Sequence, residues 1–317
     1  MKIVFMGTPD FAVDILRTLI ESEHEVIGVV TQPDKAKGRS KKLQFSPVKE
    51  AALEYGVTVY QPEKVKEESF VQKLRTMVPD AIVVVAFGQI LSKEILDIPK
   101  YGCLNVHASL LPKLRGAAPI QWAVIDGEKE SGVTIMQMDE GLDTGDILLV
   151  KKCILEEKET GGSLFDKLAK LGGPMILEVL AMAENGELHA VPQEEEKHTY
   201  AKMLSKSTGQ IDFSYTAVQI ERLIRGLNPW PSAYCYLEGK MLKIWEADVI
   251  PADFTEEENV LENGTIVKVE QDSFLVKTAE GFLKILSVQL AGKKRMDTAA
   301  FLRGYSLKEK TVLSSEE

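Results

Sequence analysis

Residues 104–119, Leu-Asn-Val-His-Ala-Ser-Leu-Leu-Pro-Lys-Leu-Arg-Gly-Ala-Ala-Pro, set a carboxamide and an imidazole two positions apart, where an apolar strand ends and a loop begins. Side chains alternate faces along a strand, so Asn105 and His107 project together while Leu104 and Val106 turn back into the core. A neutral hydrogen-bond donor beside a group that titrates near neutrality suits acyl transfer. The amide stabilises a developing oxyanion, and the imidazole moves a proton. Taken alone, an Asn-x-His pair reads as a strand-end Asn and a structural His; the residues after His107 shift that balance.

A second chemical element is Gly141-Leu-Asp-Thr-Gly-Asp146, where two glycines bracket Asp143 in a tight loop after a strand near residues 133–138. A carboxylate near an imidazole fixes its tautomer and favours its protonated form. An isolated Asp in a turn is common, so the weight lies in two strand-end loops converging, as they do in parallel α/β sheets.

Those loops need a sheet to position them. In the first half, strand-like runs at 3–6, 26–30 and 81–86 alternate with helix-like stretches at 11–20 and from Ser46-Pro47 onward. This rhythm implies α/β architecture with a doubly wound, mostly parallel sheet. Further on lie a strand near 147–150 and a long helix over 163–183, which Gly172-Gly173-Pro174 should interrupt or bend. Residues 190–207 are polar and aperiodic and read as a linker between a first domain, 1–189, and a second, 208–317. The second domain holds a helix over 217–225, an Asn-Pro-Trp-Pro turn read as a packed corner, and short strands at 233–237, 242–247, 264–270, 273–278 and 282–289. That spacing suits a small OB-type β-barrel.

Bulk composition narrows the class. Hydrophobic residues make up 44% and charged residues 27%, as in an ordinary globular protein. The three cysteines have no paired or metal-ligand spacing, so a reducing, cytoplasmic setting is expected, with no metal and no disulfide framework. His24, His189 and His198 are isolated and expected on the surface. No apolar run reaches membrane-spanning length, and the opening Lys-Ile-Val-Phe-Met-Gly reads as a strand rather than a signal peptide. A monomer is expected, since no interface stripe stands out. The net charge of -10 is unusual for a nucleic-acid binder, but local fields decide whether a polyanion docks. Lys35, Lys37, Arg39, Lys41 and Lys42 crowd one Gly-containing loop, and Lys293, Lys294 and Arg295 form a second basic cluster. The first follows a strand's carboxyl end, at the rim where a basic loop could grip phosphates.

Met6-Gly-Thr-Pro-Asp10 sits where a dinucleotide fold places its glycine turn, yet it lacks the G-x-G-x-x-G glycines, which disfavours a nicotinamide oxidoreductase. Phe87-Gly88-Gln89 either supplies backbone hydrogen bonds to a heterocycle or merely ends its strand.

The stretches 105–121 and 132–146 resemble the methionyl-tRNA formyltransferases, as do Gly7-Thr-Pro-Asp-Phe11, Gln32-Pro-Asp34 with the basic loop after it, and Asn228-Pro-Trp-Pro231. The resemblance covers nearly the whole chain. It implies a Rossmann-like formyltransferase domain, a C-terminal OB-like tRNA-binding domain, and Asn105, His107 and Asp143 as the catalytic trio. It implies that Ser109, Leu110, Leu111 and Pro112, with Phe87, Gly88 and Gln89, bind the 10-formyltetrahydrofolate donor. Arg39 falls on the loop that enters the tRNA acceptor end, with Lys37, Lys41, Lys42, Lys293, Lys294 and Arg295 as further contacts. The implied acceptor is charged initiator methionyl-tRNA. The chain departs from the family's frequent pattern at Phe87, Ser92 and Lys202-Met203. Formyltransferases acting on glycinamide ribonucleotide or amino sugars are the nearest alternative. A non-catalytic RNA-binding protein would leave the Asn, His and Asp without purpose.

Overall fold

The computed structural model describes residues 1–37, 42–251 and 254–316. They form two compact units, one of residues 1–119, 130–154 and 165–202, the other of 120–129, 155–164 and 203–317.

The first unit is built on a seven-stranded sheet of β1 (Lys2–Gly7), β2 (Glu25–Val30), β3 (Val59–Tyr60), β4 (Ala81–Val85), β5 (Cys103–His107), β6 (Glu130–Gln137) and β7 (Ile147–Ile154). Their order is β7-β6-β5-β4-β1-β2-β3. The pairs β1/β2, β2/β3, β1/β4 and β4/β5 are parallel, and β5/β6 and β6/β7 are antiparallel. The order reverses between β1 and β4, which opens a crevice at the strands' carboxyl ends. Both faces are covered. Val4, Met6, Ile82, Val84 and Cys103 pack with Phe70, Val71 and Leu74 of the helix Glu68–Met77. On the other face Phe11 meets Phe165 edge-on, with ring centroids 5.5 Å apart. A side chain at Gly7 would run into Ala12 and the Val85 carbonyl, so only glycine lets the first helix sit this close to the sheet.

The helix Gly161–Asn185 runs unbroken through Pro174, contrary to the expected interruption. Its glycines serve packing: a Cβ on Gly172 would press on Ile15 and Val106, and one on Gly173 on Thr18.

Residues 190–202 are not a free linker. Val191 bridges to Ile147, and Tyr200–Ala201 pairs in parallel with Arg115–Gly116. The segment's polar groups find partners in the first unit, so low hydrophobicity does not leave it loose. The second unit also reaches back in sequence: Arg225 Nη1 donates to the Glu159 carbonyl (2.6 Å), and Gly226 packs on Gln121 and Ile125.

That second unit contains β8 (Ala233–Leu237), β9 (Lys240–Ile250), β10 (Ile266–Val269), β11 (Phe274–Lys277), β12 (Phe282–Leu290) and β13 (Leu313–Ser314) in the order β10-β11-β12-β9-β8-β13. A bridge between Thr265 and Val312, with Ile266 N–H donating to the Thr311 carbonyl (2.8 Å), ties the first strand of this order to the last. The bridge covers part of two edges that would otherwise stay open. The helix Ala217–Gly226, capped by Thr216, sends Ile220 and Ile224 into this core. Trp230 is 58% exposed rather than a packed corner.

Candidate active site

Asn105 and His107 lie at the carboxyl end of β5, both buried, on the same face as Cys103. Asp143 reaches them by an unexpected route. Because β6 runs antiparallel to β5, its carboxyl end pairs beside Leu104 rather than beside His107. The loop 138–146 therefore folds back, and Asp143, held at φ 55°, aims its carboxylate at the pair.

That carboxylate is the hub. Its Oδ1 accepts from Asn105 Nδ2 (3.2 Å), its Oδ2 accepts from the Gly116 N–H (2.8 Å), and His107 Nδ1 stands 3.7 Å from Oδ2. A carboxylate only accepts, so the Asn105 amide must present its NH2, and one of its two hydrogens remains available. His107 Nε2 lies 3.0 Å from the Leu114 carbonyl. A carbonyl only accepts, so Nε2 carries the hydrogen, and Nδ1 is the nitrogen left to take or give a proton.

The run after His107 is held from beneath. The buried Thr134 hydroxyl on β6 donates to the Ser109 carbonyl (2.7 Å) and accepts from the Leu111 N–H (3.2 Å). Ser109 is itself buried, its hydroxyl donating to the Lys113 carbonyl (2.7 Å), while Leu110 and Pro112 are half-buried and Leu111 is buried. Phe87 has its ring in the sheet core, and its carbonyl accepts from Thr8 Oγ1 (3.2 Å) and Gln32 Nε2 (3.1 Å). Gln89 Oε1 accepts from the Val65 N–H (2.7 Å). The Phe87 carbonyl and the Gln89 carboxamide oxygen thus already have internal partners; Gly88, at φ 82°, stays exposed.

At the basic loop, residues 35–37 and 42–44 pair as a short hairpin. Arg39 and Lys41 lie outside the described residues, as do the side chains of Lys37 and Lys42. The hairpin's base is fixed by Asp34, whose carboxylate accepts from Lys49 Nζ (2.6 Å) and Gln61 Nε2 (2.8 Å). These bonds hold its carboxyl below the usual carboxylate range. In the second unit Lys293, Lys294 and Arg295 are exposed between β12 and the short strand Met296–Asp297. Arg295 stacks over Trp245, 5.0 Å from the ring centroid, and the Arg295 Nε–H donates to the Ser287 hydroxyl (3.2 Å).

Four residues that sequence reasoning passes over brace the trio. Leu114 and Gly116 act through backbone groups. Arg115 is fully buried, with Nε donating to Gln193 Oε1 (3.0 Å) and both terminal nitrogens donating to Glu195. Gln193 Nε2 in turn donates to the carbonyls of Asp143 (2.9 Å) and Gly145 (2.7 Å). Arg115 stands out only by its place in the conspicuous run; Gln193 carries no signal at all. Among the described residues no His, Cys, Asp or Glu cluster is arranged to hold a metal, and no helix is long and apolar enough to cross a membrane.

Residues 1–180 match the formyl transferase family model, and residues 203–306 match the model of the formyl transferase C-terminal domain. The methionyl-tRNA formyltransferase of Lachnospira eligens is 55% identical, covering 99% of each chain. That of Clostridioides difficile is 49% identical, covering 99% of this chain and 100% of its own. Among solved structures, the sugar 3N-formyl transferase WlaRD, determined with dTDP and 5-N-formyl-THF, superposes with a TM-score of 0.65 at 20% identity, covering 93% of this chain and 99% of its own. HypX from Aquifex aeolicus, in complex with tetrahydrofolic acid, superposes with a TM-score of 0.61 at 17% identity, covering 95% of this chain and 47% of its own. At those identities the structural likeness concerns the fold.

Proposed function

The chain belongs to the methionyl-tRNA formyltransferase family, and on that premise we propose how its own residues carry formyl transfer from 10-formyltetrahydrofolate to the α-amine of methionine on initiator tRNA. One observation carries the reading: a single carboxylate, Asp143, gathers Asn105 and His107 at the end of β5.

The methionyl α-amine titrates near neutrality, so much of it is already nucleophilic. As it attacks the formyl carbon, a bond forms to the methionyl nitrogen and negative charge collects on the formyl oxygen. The free hydrogen of the Asn105 amide stabilises that charge. Collapse breaks the bond between the formyl carbon and N10 of the folate, and the proton lost by the amine ends on N10. His107 Nδ1 relays that proton while Leu114 keeps the ring fixed through Nε2. Asp143 balances the positive charge on the ring during the relay.

The folate donor would rest along Ser109, Leu110, Leu111 and Pro112, with backbone contacts from Gly88. Ile90 and Leu142, 73% and 54% exposed on loops flanking the trio, offer apolar contact to a flat heterocycle. Arg39 with Lys37, Lys41 and Lys42, and Lys293 with Lys294 and Arg295, would meet tRNA phosphates. The reading places the work in the cytoplasm, by a monomer.

Incubation with 10-formyltetrahydrofolate and charged initiator methionyl-tRNA should give formylmethionyl-tRNA, with little transfer to glycinamide ribonucleotide. Folate turnover with no transfer to tRNA would move the acceptor to another small amine.

A further inference from the structure

The segment 190–202, the carboxyl-terminal stretch of the first unit, has the composition of a linker and the bonding of a clamp. Two parts of it hold the two halves of the trio's surroundings. Arg115 N–H donates to the Thr199 carbonyl (2.8 Å), Ala117 N–H to the Ala201 carbonyl (2.9 Å), and Leu114 N–H to Thr199 Oγ1 (2.9 Å). This fixes the stretch that lends its Leu114 carbonyl to His107 and its Gly116 amide to Asp143. The other part is Gln193, which holds the loop carrying Asp143 itself.

Gln193 reaches that loop in one orientation only. Arg115 Nε can only donate, so Gln193 must turn Oε1 toward it, and Nε2 then faces the chain at 143–145. Both Nε2 hydrogens are used, on the carbonyls of Asp143 and Gly145. Asp143 needs such support because φ 55° is a left-handed conformation that residues other than glycine rarely adopt. Arg115 is anchored in its turn by Glu195, whose carboxyl the guanidinium holds below its usual range.

We propose that Gln193, aimed by the buried Arg115, is a positioning residue that keeps the Asp143 carboxylate against Asn105 and His107. This rests on the reading of Asp143 as part of the catalytic trio. Gln193 touches no reacting atom; it acts through the backbone of the loop. Apparent linker residues therefore belong to the active site.

The test uses the full-length protein, 10-formyltetrahydrofolate and charged initiator methionyl-tRNA. Gln193→Met keeps the side chain's length and removes both donors from a half-buried position. Its kcat should fall about tenfold to a hundredfold, with KM for either substrate within about twofold of the parent; losing the two donated bonds and the acceptor for Arg115 should lower the melting temperature by no more than about 10 °C, leaving the protein folded in the assay. Combined with Asp143→Asn it should cost nothing further, because the carboxylate it positions is already gone. Gln193→Ala, read the same way, guards against an effect peculiar to methionine. A kcat within twofold of the parent in both Gln193 variants, or full additivity with Asp143→Asn, overturns the proposal while the trio stands. Near-parental activity in Asp143→Asn alone overturns the trio itself, and the proposal with it.

Discussion

Replacing Asp143 by asparagine removes one charge and changes no heavy-atom count, so its effect can be worked out from the contacts of that carboxylate. Two groups donate to it, Asn105 Nδ2 and the Gly116 N–H, one on each oxygen. A carboxamide has a single accepting oxygen, so in either orientation one of those donors faces an NH2. That loses one hydrogen bond, about 1 kcal/mol, partly offset because the side chain no longer buries a charge. The melting temperature should therefore move by only a few degrees, on the order of 2–4 °C per kcal/mol. The kinetic loss is larger. His107 Nδ1 lies 3.7 Å from Asp143 Oδ2. At that separation two unit charges attract by about 4 kcal/mol at an effective dielectric of ~20, and about 1 kcal/mol in bulk water. The His107 side chain is 7% exposed and that of Asp143 12%, so the screened-interior value is nearer. An imidazolium formed in the transition state loses that stabilisation, and kcat should fall about 10²–10³-fold, with KM for tRNA little changed. Single-turnover formyl transfer at saturating 10-formyltetrahydrofolate, beside a melting curve, measures both. A kcat within about tenfold of the parent in a variant that melts normally would refute the charge-balancing role.

Neighbouring parts of the molecule carry further consequences. Acid should loosen the base of the basic hairpin through Asp34, whose carboxyl is held low by Lys49 and Gln61. Its contribution to stability is complete above the ordinary carboxylate pKa of ~3.9 and is lost as pH falls through the lower folded value. Asp34→Asn should accordingly flatten the fall in melting temperature below about pH 4, and superimposable profiles would reject this. Alanine at both Lys293 and Lys294 should reduce the salt slope of tRNA binding by up to about 2, measured by filter binding over a salt series; an unchanged slope removes them from the interface. Burial pushes the Cys103 thiol up to about 12 and that of Cys235 higher still. Alkylation at pH 8 should spare both in the native protein and modify both after unfolding, and native labelling of either, read by peptide mass spectrometry, would contradict their burial.

Much of the scaffold is legible from local pattern alone. The helix Phe11–Ile20 and the strand Ala233–Leu237 have the ends that periodicity gives them, and Ser46 caps its helix by accepting from the Lys49 N–H (3.1 Å), with Pro47 in the first turn. Alternation along β5 correctly places Asn105 and His107 on one face. Features set by tertiary partners are not legible. His24 reads as a surface histidine but is 8% exposed beside the Met1 amine, 3.3 Å away. The Gly172-Gly173-Pro174 run reads as an interruption or bend, yet the helix continues through it, with Gly172 close to Ile15 and Val106 and Gly173 close to Thr18. At the far end of the chain Ser314 pairs with Tyr236 and the Ser315 hydroxyl donates to the Ile211 carbonyl (2.8 Å), bonds that no local pattern announces.

The site shows where such reading stops. Residue types single out three candidate side chains, but what orients them is largely main chain: the Gly116 amide on Asp143, the Leu114 carbonyl on His107, and the carbonyls of Asp143 and Gly145 on Gln193. A peptide group has the same donor and acceptor in nearly every residue, so no letter in the sequence announces these roles. The consequence is chemical as well as structural. From the sequence, either nitrogen of His107 could move the proton. Because the Leu114 carbonyl occupies Nε2, only Nδ1 can do so while the ring stays as it is, and Nδ1 is the nitrogen that faces Asp143. In the proposed mechanism the route of the proton is thus set by a leucine whose side chain takes no part in it.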